Sequence, residues 1–75
     1  MEEKERKRMT ALSLKIAYHR KLNGKSTAEL AEAINLSEGY IWQMEAPNVL
    51  KYPSLKTLYL IADFLEVPVA KLLEE

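Results

Sequence analysis

The stretch Ser26–Ala46, STAELAEAINLSEGYIWQMEA, decides the fold. Ser26 and Glu29 stand at the spacing of an S-x-x-E capping box, in which a hydroxyl and a carboxylate satisfy the free amides at a helix start. Leu30, Ala31 and Ile34 then recur at helical spacing and give that helix a narrow apolar face. Asn35 is among the few residues that enter the left-handed region at little cost, so it can end the helix and turn the chain. Leu36 is expected to plug the corner. Ser37 can cap a second helix whose inward positions are Tyr40 or Ile41, and Met44. Ala31 is small enough to let two helices cross steeply. Two short helices joined by a tight turn make a helix-turn-helix.

Outward from this motif, both flanks read as helix. Thr10 can cap a first helix that runs to about Asn23, with Gly24 as its left-handed stop. Leu12, Ile16 and His19 fall on one stripe and are expected to face the core. Leu14, Tyr18 and Leu22 fall on a second stripe at i, i+4, i+8, whereas a surface helix needs only one apolar face. The second stripe must meet either the last helix or another chain, and packing within the chain is the favoured expectation. Residues 2–9 are a charged run without apolar periodicity. They form either a solvated, frayed extension of the first helix or a basic arm in which Lys4, Arg6, Lys7 and Arg8 touch phosphate.

Beyond the motif, APNVLKYP (46–53) is a loop holding two of the three prolines. Val49 and Leu50 are expected beneath it if it is simply a packed connector. Ser54 caps a fourth helix to about Leu65, with Leu55, Leu58, Ile61, Ala62 and Leu65 as its core stripe and Leu60 and Phe64 on another face. Glu66 occupies the stop position. Pro68 suits the start of a last short helix, Val69–Leu73. The expected fold is all-α, with residues 1–9 as a charged extension and residues 10–75 as one helix-turn-helix domain.

Seventy-five residues allow a single domain, near the lower limit of what folds without a staple. There is no cysteine, which excludes a disulfide framework and a cysteine-ligated zinc finger. The charged start cannot be the apolar core of a signal peptide. The longest apolar run, Leu58–Ala62, is far too short to span a bilayer. A soluble, cytoplasmic protein without a membrane segment is expected.

Eleven basic and eleven acidic residues cancel overall, a mild argument against nucleic acid, whose phosphates attract Lys and Arg. The distribution is not even. Residues 1–25 hold eight basic and three acidic residues, a net of +5, and residues 26–75 hold three basic and eight acidic, a net of −5. Within the motif itself there are four Glu and no basic residue.

Catalysis finds little support in these residues. The single His sits at a core-like helical position, with no second His or Cys to share a metal. The only glycines, Gly24 and Gly39, are too far apart for a phosphate-binding loop. Glu29 and Glu32 at i, i+3 are read as a solvated helix face. No enzymatic activity, metal or cofactor is expected.

The run TAELAEAINLSEGYIWQME (27–45) resembles the central motif of the Cro/repressor-like (XRE-like) helix-turn-helix DNA-binding proteins. Residues 16–26, IAYHRKLNGKS, are similar to that family's first helix and its glycine-containing exit. Residues 53–73, PSLKTLYLIADFLEVPVAKLL, are similar to its fourth and fifth helices. The resemblance covers roughly residues 10–75 and implies a five-helix, lambda-repressor-like domain. It also implies a sequence-specific transcriptional regulator that binds double-stranded DNA as a homodimer, with the start of its third helix in the major groove. Carried over by position, Ser37, Glu38, Gly39, Trp42 and Gln43 face the bases, and Thr27 lies beside the backbone. Lys25, and in the loop Asn48, Lys51 and Tyr52, are candidate phosphate contacts. Arg20 and Glu45 fall where the family often carries a structural ion pair.

Some departures from the family pattern point elsewhere. Glu38 would repel the DNA backbone unless it accepts from a cytosine amino group; otherwise it complements the helix dipole. Trp42 should point outward, where it could touch thymine methyls, cover part of its own domain, or bind a protein. Leu14, Tyr18 and Leu22, or Leu60 and Phe64, are candidate interface residues. A second class of function therefore stands beside the first: a protein-interaction module on the same fold with weak or no DNA binding, or an antitoxin-like protein combining both.

Overall fold

A computed structural model describes residues 2–49 and 51–74. In chain order it contains α1 (Glu3–Leu22), α2 (Thr27–Ile34), α3 (Glu38–Glu45), α4 (Leu55–Leu65) and α5 (Val69–Leu73), with no strand among the described residues. Local chemistry sets most of the boundaries. The Ser26 hydroxyl accepts from the Glu29 amide at 3.0 Å, and the Ser26 amide donates to Glu29 Oε1 at 2.8 Å, so both arms of the capping box are made. Ser37 and Ser54 cap α3 and α4 by accepting from the Tyr40 and Thr57 amides. Gly24, Asn35 and Glu66 all have positive φ, at 68°, 58° and 57°, and each turns the chain out of a helix.

The core is one cluster to which every helix contributes. Leu12 and Ile16 of α1, Leu30, Ala31 and Ile34 of α2, and Ile41 and Met44 of α3 are buried. Leu58, Ile61, Ala62 and Leu65 of α4 and Leu72 of α5 complete it. α2 packs on α3 and α4, and α1 lies across α3, α4 and α5. Buried Ala31 lies on the face of α2 that meets these helices, where a larger side chain would overfill the core.

Several expectations are corrected. Thr10 is not a helix cap: α1 begins seven residues earlier, at Glu3, with Glu2 in the capping position. Residues 3–9 are mostly charged but good helix formers, and acidic Glu3 and Glu5 suit the positive end of the helix dipole. The Thr10 hydroxyl instead donates to the Pro47 carbonyl at 3.3 Å, tying α1 to the loop after α3. The second stripe of α1 does not pack within the chain, since Leu14, Tyr18 and Leu22 are 53%, 60% and 67% exposed. Leu55, expected in the core stripe of α4, is exposed; it is the first residue of the helix, one turn before buried Leu58. Leu36 plugs the corner only in part, with 39% of it exposed. His19 is half-buried rather than fully packed, and its Nδ1 has no hydrogen-bond partner among the described residues. Val49 is exposed, so it is not tucked under the loop; Leu50 lies outside the described residues.

Candidate nucleic-acid interface

The outer face of α3 follows from what its inner face buries. Ile41 and Met44 are fully buried, which leaves Gly39, Trp42 and Gln43, at i, i+3 and i+4, together on the solvent side. Trp42 is 60% exposed, an unusual position for an indole unless a partner meets it. Ser37, at the head of the helix, is exposed and uses a lone pair to cap the Tyr40 amide. Its hydroxyl proton remains suited to a phosphate or base. At Gly39 an added Cβ would meet nothing closer than Ser37 Oγ at 3.9 Å, so space within the chain does not demand a glycine there.

Three of these candidates form one hydrogen-bonded chain. Trp42 Nε1 donates to Thr27 Oγ1 at 3.3 Å, and Thr27 Oγ1 donates to Glu38 Oε2 at 2.6 Å. The hydroxyl at the start of α2 is therefore occupied in both directions. It holds the first residue of α3 and turns the indole N–H back toward the protein, leaving the carbon edge of Trp42 in solvent. No local periodicity signals this pairing, because Thr27 and Glu38 lie on different helices.

The far end of α3 is fixed by charge. Arg20 Nε donates to Glu45 Oε2 at 2.7 Å and Arg20 Nη2 to Glu45 Oε1 at 2.9 Å, a two-pronged pair whose side chains are only 10% and 11% exposed. Arg20 Nη1 also donates to the Lys25 carbonyl at 2.8 Å. One guanidinium thus joins the end of α1, the link into α2 and the end of α3. The Glu45 hydrogen bonds raise the Arg20 pKa against the opposing effect of burial.

These contacts change the meaning of the acidic motif. Glu29 is folded back into the capping box, Glu45 is neutralised by Arg20, and Glu38 accepts from Thr27. Glu29 is held below the ordinary carboxylate range by its bonds with the Ser26 amide and hydroxyl. Three of the four motif carboxylates therefore have structural partners.

The basic candidates lie on aromatic rings at the edges of the motif. Lys25 Nζ lies 5.4 Å from the Phe64 ring centre, and Lys51 Nζ lies 5.4 Å from that of Tyr40. Cations so placed are attracted and oriented by the ring quadrupole. Half-buried Tyr40 has its phenol pushed up by burial. Asn48 and Tyr52 of the loop are exposed, as is Leu60, while Phe64 packs partly on the core beneath Lys25. Lys4, Arg6, Lys7 and Arg8 lie exposed on the first turns of α1. No group of three His, Cys, Asp or Glu suited to a metal occurs among the described residues, and none of their helices is long and apolar enough to cross a membrane.

Comparison with known proteins bears on the family and the fold. A helix-turn-helix family model matches residues 16–72. Among solved structures the chain is similar to SinR, described as the master regulator for biofilm formation and crystallised in complex with DNA. The identity is 32% and the TM-score 0.75, over 84% of this chain and 98% of that one. Among curated proteins, none matches the sequence.

Proposed function

The chain belongs to the Cro/repressor-like (XRE-like) helix-turn-helix family, and on that premise we propose that it is a sequence-specific DNA-binding transcriptional regulator. The observation that carries this is the outer face of α3. Gly39, Trp42 and Gln43 stand clear of the core, on a helix anchored at one end by Thr27 and at the other by Arg20. A helix held in this way can enter the major groove without reorganising. Gln43 reads adenine through its amide. Lys25, Lys51, Ser37, Asn48 and Tyr52 meet phosphates, and the basic residues of the 1–9 extension add a screened, longer-range attraction. The protein acts as a dimer on a two-fold site with half-sites about 34 Å apart. Such a regulator works in the cytoplasm, and no catalytic role is assigned to any residue.

The test is selection of duplex sites from a randomised pool, repeated with Gln43→Ala and Trp42→Ala. Altered selectivity in either variant supports the proposal. Unchanged selectivity in both removes Gln43 and Trp42 from base recognition.

The exposed Leu14, Tyr18 and Leu22 stripe favours a second reading, in which the same fold engages another protein through α1. Under it, Tyr18→Glu abolishes capture of that partner and duplex DNA does not compete. If this stripe is instead the dimer surface, the same substitution gives monomers in sedimentation equilibrium.

A further inference from the structure

We infer that Glu38, pinned by Thr27 and Trp42, is a specificity-determining residue that selects cytosine in the DNA site. The inference rests on the proposal that α3 enters the major groove, and deepens it. A glutamate side chain normally loses rotamer freedom when a partner fixes it. Here the Thr27 hydroxyl already holds Oε2 at 2.6 Å, and the Trp42 N–H, bound to that hydroxyl at 3.3 Å, orients it. The carboxylate is therefore placed before any DNA arrives, and such preorganisation lowers the cost of binding.

The chemistry of the fixed group then chooses the base. An ionised carboxylate only accepts hydrogen bonds, and with Oε2 engaged it has Oε1 to offer. In the major groove guanine presents the N7 and O6 acceptors, and thymine presents O4, so both repel it. Adenine offers its N6 amino group but sets the N7 acceptor beside it. Cytosine offers N4–H₂ next to a carbon edge, with no adjacent acceptor. Cytosine is the one base whose groove edge suits a lone, fixed carboxylate. The same geometry removes Thr27 from the phosphate contacts, because its proton is committed to Glu38.

The experiment is site selection from a randomised duplex pool with the wild-type chain, Glu38→Gln and Thr27→Val, with a far-UV circular dichroism melt of each to establish folding. The wild type should select a site containing an invariant cytosine. Glu38→Gln retains an oxygen for the Thr27 hydroxyl and should fold. It should move that position from cytosine to adenine, with about a tenfold change in relative affinity. Thr27→Val, which frees both the carboxylate and the indole N–H, should weaken the cytosine preference while the position read by Gln43 stays as it was. Wild-type sites with no cytosine requirement, or a Glu38→Gln site identical to the wild-type one, would overturn the role of Glu38 while leaving DNA binding intact. A wild-type chain that binds no duplex at low salt would overturn the DNA proposal itself, and the Glu38 role with it.

Discussion

Removing one partner of the Arg20–Glu45 pair should be among the most destabilising polar substitutions in the chain. In Glu45→Leu the guanidinium loses both carboxylate bonds, at 2.7 and 2.9 Å, and keeps only the Lys25 carbonyl at 2.8 Å. Exposed ion pairs contribute roughly 0.2–1 kcal/mol, whereas breaking a buried pair costs about 3–5 kcal/mol. With side chains only 10% and 11% exposed, this pair lies near the buried limit, and about 3 kcal/mol is expected. A chain of this length has a total stability of roughly 4–11 kcal/mol. The loss should therefore lower the melting temperature by about 12–24 °C. The assay is denaturant unfolding followed by far-UV circular dichroism, on Glu45→Leu, Arg20→Met and the double variant. Replacing both partners by apolar groups relieves the stranded charge. The double variant should thus be more stable than the sum of the single losses predicts, by about 2 kcal/mol. The Lys25 carbonyl loses its donor in Arg20→Met and in the double variant alike, so it cancels from that difference. A single-variant loss below about 0.5 kcal/mol, or a coupling near zero, would place the pair in the exposed class and refute the reasoning.

Three further outcomes are expected. Glu66→Gly should raise stability by about 1 kcal/mol in the same unfolding assay, because Glu66 sits at φ 57° and ψ 42° and carries its charge at the negative end of α4; a loss would show that the side chain is needed there. Gly39→Ala should stabilise the free protein by roughly 0.5–1 kcal/mol, since the new methyl has room. It should also weaken binding to the selected DNA site, and a methyl tolerated in both assays would mean that no groove closes over that face. The Glu29 carboxylate, held below its unfolded value of about 4.3, contributes stability that is complete above that value and lost as pH falls through the lower folded pKa. The protection of amides at the start of α2, taken relative to the unstructured-chain exchange rate at the same pH, should therefore fall on acidification, and Glu29→Gln should flatten that dependence.

What could be read from the sequence was mostly local. The capping box at Ser26 and Glu29, the caps at Ser37 and Ser54, and the left-handed stops at Gly24 and Asn35 depend on residues close to one another in the chain. All recur in the structure as expected. The outward position of Trp42 followed in the same way from the inward pair Ile41 and Met44. Periodicity was less informative where packing decides. It identifies the face of α4 that carries Leu55 but not how far the neighbouring helices reach along it, and Leu55 is exposed. α1 has two apolar stripes, and only the tertiary structure shows that Leu12 and Ile16 are covered while Leu14, Tyr18 and Leu22 are not. Thr10 has the residue type of a cap and sits inside the helix, bonded to Pro47. The Thr27–Glu38–Trp42 chain joins separate helices, so no single-helix pattern encodes it.

The most direct measurement is the fluorescence of Trp42 during titration with duplex DNA at low and at moderate salt. Trp42 is the only indole in the chain, so its signal reports on α3 alone. DNA recognition through α3 predicts a saturable change in emission whose midpoint moves to much higher DNA concentration as salt rises, through counterion release. An emission that does not respond at either salt, together with a mobility assay that shows no complex, would contradict it.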